Sequence, residues 1–156
     1  LSAGVYLGGT ATSNRLSNYE KGTWTPVFAG TTTAGTYTYV EQMGHYVRVG
    51  AQVNCWFNLT NITTVSAGSG LIKISGFPFT INWMNGFNGE GVGTVAVNNF
   101  AGINGLYISP RLPDNVSYLN LYHAQGTNNE FDTIDVQDKV NNGSDIRGAF
   151  SYYIGG

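Results

Sequence analysis

Residues 45–59 read HYVRVGAQVNCWFNL. From position 47 on, Val47, Val49, Ala51, Val53, Cys55, Phe57 and Leu59 hold every odd position, and Arg48, Gly50, Gln52, Asn54, Trp56 and Asn58 the even ones. A period of two is the signature of a strand, whose successive side chains point to opposite faces. Fully extended, such a ribbon spans roughly 50 Å. Most strands are far shorter, so the pattern predicts a bend or bulge near Gly50, or a partner long enough to cover it. The odd side is expected to be buried in a sandwich and the even side decorated.

Composition supports this. The chain has 156 residues, enough for one domain with one core. Charged residues make up 10%, against about 25% in an average protein, while hydrophobic residues remain at 42%. Gly, Thr, Ser and Asn replace the missing charge, and ten Tyr, eight Phe and three Trp rule out a disordered composition. Net charge is −2 with no cluster of Lys or Arg, which argues against nucleic acid as a partner. No apolar run approaches the ~20 residues of a membrane span, so no membrane insertion is expected. The single Cys55 excludes an intrachain disulfide and reads as a small buried hydrophobe.

Further strands are expected at 24–28 (with Pro26 confining it to an edge or bulge), 36–40, 71–75, 91–100, 105–109, 117–122 and 147–154. Met43 and Gly44 read as the turn closing a hairpin into the long strand. Residues 130–141 read as loop plus a short strand, because Asp132, Asp135 and Asp138 would repel each other on a helix. The fold class is therefore all-β: an antiparallel β-sandwich or jelly roll. Leu1 stands where a translated chain carries Met, so the sequence reads as a fragment or a processed piece. Residues 1–22 are read as an extended lead-in from an upstream shaft or domain, and 23–156 as the C-terminal sandwich.

Catalysis is not expected. His45 and His123 have no nucleophile motif around them. Among nine carboxylates, Asp132 and Asp135 are the candidates for a glycosidase pair, without a supporting pattern. No cofactor and no metal site is expected: the acidic stretch lacks the calcium-loop spacing, and one Cys with two His is too few for zinc. Gly89 to Gly93 imitates a phosphate loop but lacks the Lys and the helix. Glycan binding remains, since sugars need an aromatic platform for their C–H face and planar polar groups for their hydroxyls. Trp83, in the loop NWMNGFNG beside Asn85, is the first candidate. Trp56 lies on the polar side of the long strand, so it packs under a loop, faces another subunit or is exposed. Tyr118 and Tyr122 share one strand face opposite Leu119 and Leu121, and Arg111 and Asp114 lie in a turn close by in sequence.

The segment RLSNYEKGTWTP, 15–26, resembles the opening of a C-terminal domain of bacteriophage tail fibres and tailspikes. Members share a Leu-x-x-Tyr-Glu-x-Gly-Thr-Trp-Thr-Pro box, a Thr-Tyr hairpin (here Thr36 to Tyr39) and a Gly-x-Tyr-x-Arg/Lys-x-Gly run (here Gly44 to Gly50). A later Ile-x-Gly-Leu-Pro-Phe element corresponds to Ile74 to Phe79, with Phe77 in place of Leu. The match covers about 15–60 and 70–80. It implies a homotrimer at the end of a shaft, a virion protein of the tail assembled in the host cytoplasm and acting extracellularly, and a receptor in host cell-surface polysaccharide. A purely structural trimer clamp is the alternative and an endoglycosidase tip the remote one. Within the box, Trp24 reads as an anchor to a core or a neighbouring subunit, and Tyr19 and Glu20 as braces for the lead-in.

Overall fold

The structure, a computed structural model, describes residues 4–82, 91–102, 108–124, 131–135 and 139–155. Its described residues are mainly strands, with a short 3-10 turn at Thr12–Asn14. In chain order the strands are β1 (Val5–Tyr6), β2 (Arg15–Leu16), β3 (Glu20–Trp24), β4 (Val27–Gly30), β5 (Thr36–Thr38), β6 (Glu41–Val49), β7 (Gln52–Ser66), β8 (Ile72–Ser75), β9 (Val92–Phe100), β10 (Ile108–Arg111), β11 (Tyr118–Ala124), β12 (Phe131–Thr133) and β13 (Val140–Tyr153). The larger sheet runs β3-β6-β7-β13-β9, with β5 added to the far end of β7; the smaller runs β10-β11-β8-β4, with β12 beside β11. β1 and β2 form a separate ribbon. All pairings between these strands are antiparallel, so the all-β sandwich expected from the sequence is the observed fold.

The stretch 45–59 is not one ribbon. Gly50 takes φ +61° and begins a two-residue turn with Ala51, and Val49 pairs with Gln52. Glycine at the first position of such a turn is what a tight hairpin requires. A two-residue turn also reverses the parity of the pattern. Val47 comes to lie opposite Asn54 and Arg48 opposite Val53, and directly paired residues share a face. Val53, Cys55, Phe57 and Leu59 are therefore buried as expected, while Val47 and Val49 turn to the outer face and Ala51 sits in the turn. Inward positions on β6 fall to Gly44, Tyr46 and Arg48; Tyr46 packs edge-on to Phe79 and the Arg48 guanidinium lies 5.2 Å from the same ring.

Other boundaries move for comparable reasons. Met43 and Gly44 lie inside β6 rather than in a turn, and β5 pairs with Thr63 to Ser66 at the end of β7. The expected strand at 24–28 is two strands in different sheets, and the chain crosses between them at Thr25–Pro26, where proline supplies no N–H to either ladder. Trp24 does anchor the core. The sandwich begins at Glu20, inside the stretch read as lead-in, and the Ser17 carbonyl accepts the Gly50 N–H at 3.0 Å, tying the remaining lead-in to the hairpin turn. Glu20 accepts the Tyr46 hydroxyl, whereas the Tyr19 side chain is exposed. β7 runs on to Ser66 through a bulge: Asn61 has φ +52°, its N–H donates to Asp145 Oδ1 at 2.9 Å, and the register against β13 shifts between Ser144 and Ile146. Leu59 and Ile62, three apart, thereby both point inward. β13 starts at Val140, seven residues before the expected 147, and the expected strand at 105–109 appears as β10, with 105–107 outside the described residues.

The core between the sheets joins Val53, Cys55, Phe57, Leu59, Ile146 and Phe150 of the larger to Phe28, Ile72, Ile74, Leu119 and Leu121 of the smaller. Phe77 stacks on Phe150 at 4.6 Å and meets Trp24 edge-on at 5.4 Å. These rings fit because glycines stand across from them: Gly44 lies between Trp24 and Phe57 in the ladder, and Gly148 pairs with Phe57 on the other side. A Cβ on Gly148 would come within 2.4 Å of the Phe57 ring. Burial of these aromatics contributes on the order of 2–3 kcal/mol each.

Candidate functional site

The outer face of the larger sheet carries Trp56, 47% exposed. Its ladder neighbours are His45 on β6 and Ala149 on β13, continued by Thr23 on β3 and Thr94 on β9. The row above holds Lys21, Val47, Asn54 and Ser151; the row below holds Met43, Asn58, Arg147 and Ala96. Because Ala149 is small, a hollow of about 220 Å³ opens beside the indole, lined by Asn54, Thr94, Ala149 and Ser151. On the other side a hollow of about 340 Å³ is lined by Lys21, Thr23, His45 and Val47. The indole stands between them.

The polar groups around Trp56 are held in place. Ser151 Oγ donates to Asn54 Oδ1 at 2.6 Å and Arg147 Nε to Asn58 Oδ1 at 2.8 Å, while Asn58 Nδ2 donates to the Glu41 carboxylate. Arg147 also lies 3.7 Å from Asp145. Asp145 has its acidity strengthened, first by the Asn61 N–H and further by Asn98 and Arg147. Behind this face, burial pushes the Cys55 thiol up to about 12 and raises the Tyr152 phenol as well, so both stay protonated and inert in the core. An exposed indole with fixed amides and hydroxyls around it can hold the C–H face of a sugar ring and bond its hydroxyls.

The remaining candidates divide between places. Tyr118 and Tyr122 share the outer face of the smaller sheet, with Leu119 and Leu121 buried behind them, as expected. Arg111 Cζ lies 4.9 Å from the Tyr122 ring centroid, and Lys73 Nζ lies 5.5 Å from that of Tyr118. Asn120 separates the tyrosines; it is buried and its Oδ1 has no hydrogen-bond partner among the described residues. Asp114 is in the following turn, where its carboxylate accepts the Asn115 side-chain amide at 2.8 Å. Trp56 is on the opposite outer face of the sandwich, so these residues and Trp56 do not form one site. Trp83 and Asn85 lie outside the described residues. Sequence reading missed His45, Val47 and Ala149 as neighbours of Trp56. The signal was Gly50: a turn there, instead of a bend, pairs His45 with Trp56.

No protein-family profile and no curated protein matches the chain. Among solved structures the fold is similar to the crystal structure of Dettilon tailspike protein (gp208), with a TM-score of 0.65 and 16% identity. The likeness covers 86% of this chain and 24% of that one, so this chain spans about a quarter of the tailspike's length. At this identity the shared property is the fold.

Proposed function

We propose that the chain is a domain of a phage tail fibre or tailspike that assembles as a homotrimer and binds host cell-surface polysaccharide without cleaving it. Its place is then the virion tail, joined to an upstream shaft. The tailspike-like fold and the amino-terminal box are consistent with this reading. The observation that carries the adhesive part is Trp56, half exposed between two hollows and flanked by the oriented side chains of Asn54, Asn58 and Ser151. Each such site needs only modest affinity, because three per fibre and several fibres per particle multiply it. The test is capture of this chain on immobilised host polysaccharide. Trp56→Ala is expected to lose capture while keeping its melting temperature and oligomeric state; unchanged capture would overturn the assignment.

A second reading, a trimer clamp, is favoured by one observation. Met43 (52% exposed) and Val49 (40%) share the outer face with Trp56, and an apolar patch on a sheet face is a candidate for subunit packing. On that reading Trp56→Ala lowers the oligomeric mass and leaves polysaccharide capture per assembled trimer unchanged.

A further inference from the structure

A third hollow, of about 510 Å³, opens where β4 forms the free edge of the smaller sheet and β5 leans against it. Val27, Thr36, Tyr37, Thr38, Tyr39 and Gln42 line it. Its size is within the range of pockets that hold small organic ligands. Its wall is unusually well fixed. Tyr39 Oη accepts the Phe28 N–H at 3.1 Å and Tyr37 Oη accepts the Gly68 N–H at 3.0 Å. Gln42 Nε2 donates to the Pro26 carbonyl at 2.9 Å. The Tyr37 hydroxyl reaches its position because Gly35 and Gly68 carry no side chain: a Cβ on either would come within 2.7 Å of it. The Tyr37 ring is pinned edge-on to Phe28 at 4.9 Å.

These bonds leave a specific set of groups for a ligand. Both phenol oxygens accept from the backbone, and neither phenol hydrogen has an acceptor among the described residues. Burial raises both phenols above their ordinary value, so the hydrogens are present at any physiological pH. The bond to Pro26 uses Gln42 Nε2 and leaves its Oε1 as an acceptor, the exposed Thr36 and Thr38 add hydroxyls, and Val27 gives an apolar edge. No lining side chain is charged. Donors, acceptors and aromatic surface without charge match a hydroxyl-rich, uncharged ring. A carboxylate placed there would lose hydration without gaining a cation.

We infer that the Tyr37–Tyr39 hollow is a second saccharide site, separate from the Trp56 face, and that it takes a neutral pyranose. The inference rests on the glycan-binding reading of the chain and adds a subsite and a ligand class to it. Thr38 pairs with Thr63, seven residues along β7 from Trp56, so the two sites stand on the order of 20 Å apart. Two sites at that separation engage different residues of one polysaccharide chain.

The experiment is an NMR titration of the 15N-labelled 156-residue chain with methyl glucoside and methyl galactoside, repeated with the corresponding methyl uronides. Neutral glycosides are expected to shift the Gly35 and Gly68 amides, and the uronides to bind about tenfold more weakly or worse. Thr38→Val and Gln42→Ala are each expected to weaken the neutral glycosides roughly three- to tenfold, at a melting temperature close to wild type. Trp56→Ala is expected to leave these shifts as they are. Amides that stay still with every neutral glycoside, or that respond equally to the uronides, overturn the inference. So does an unchanged affinity in both hollow variants. If Trp56→Ala abolishes capture on host polysaccharide while the hollow fails these tests, the adhesive reading stands and the second site falls. If the hollow passes while Trp56→Ala has no effect on capture, the Trp56 assignment falls and the second site stands.

Discussion

The indole of Trp24 fills the space that a side chain on Gly44 would need. A Cβ built on Gly44 would lie 2.5 Å from Trp24 Nε1 and Cε2. The two residues are direct partners across β3 and β6, and Nε1 donates to the carbonyl of the next residue, His45, at 3.2 Å. Strand glycines ordinarily weaken a sheet; here the glycine admits an aromatic ring that packs back over the backbone.

Gly44→Ala is therefore expected to destabilise the fold by about 1–3 kcal/mol through overpacking. In a domain of this size that lowers the melting temperature by roughly 3–10 °C. Calorimetry on the variant checks it, and a melting temperature equal to wild type would show that the ring moves aside at no cost.

The reversed parity across Gly50 is tested by two substitutions of one type. Val53→Asp places an unpaired charge in the sealed core and is expected to abolish folding. Val47→Asp lies on the outer face directly across from Lys21, and is expected to cost less than about 1 kcal/mol. Circular dichroism of the two proteins decides; equal damage from both would mean that Val47 is buried after all.

The buried Cys55 thiol and Tyr152 phenol make the fold sensitive to alkali. With the folded Cys55 pushed up to about 12, from an ordinary value of 9.0, the unfolded chain loses its proton first as pH rises. Proton release then favours unfolding, so stability is full below about pH 9 and falls progressively from pH 9 to 12. Tyr152, Tyr37 and Tyr39, also raised, add to the same trend. Urea midpoints measured across that range, compared with Cys55→Ala, are expected to show a shallower fall in the variant. In the native protein at pH 8, Cys55 is expected to resist iodoacetamide until denaturant is added.

Asp145 contributes on the acid side. Its carboxylate holds the Asn61 N–H at the β7 bulge, and its acidity is strengthened in the fold, so its contribution is complete above the ordinary Asp value and is lost as pH falls through the lowered one. Asp145→Asn is expected to remove that pH dependence below about pH 4, read as a flatter dependence of melting temperature on pH.

Light scattering on the wild-type chain is expected to give three times the monomer mass. A stable monomer at micromolar concentration would remove the trimer from the proposed function and leave the outer face of the larger sheet open to ligand alone.

The sequence by itself determined that the chain is a β-sandwich, because alternation with a period of two, abundant turn residues and scarce charge are properties of the covalent chain. It also determined that Tyr118 and Tyr122 share a face away from Leu119 and Leu121, since all four lie in one unbroken strand and parity within a strand is fixed by geometry. Tertiary structure decided what parity cannot carry past a turn. One positive φ at Gly50 sent Val47 outward and set His45 beside Trp56, and one bulge at Asn61 let Leu59 and Ile62 point the same way. It decided, too, that Trp56 and the Tyr122–Arg111 pair stand on opposite outer faces, and that Tyr37, Tyr39 and Gln42 close around one hollow. Those relations depend on which strands become neighbours, a choice made by long-range packing between sheets and not by the pattern within any one segment.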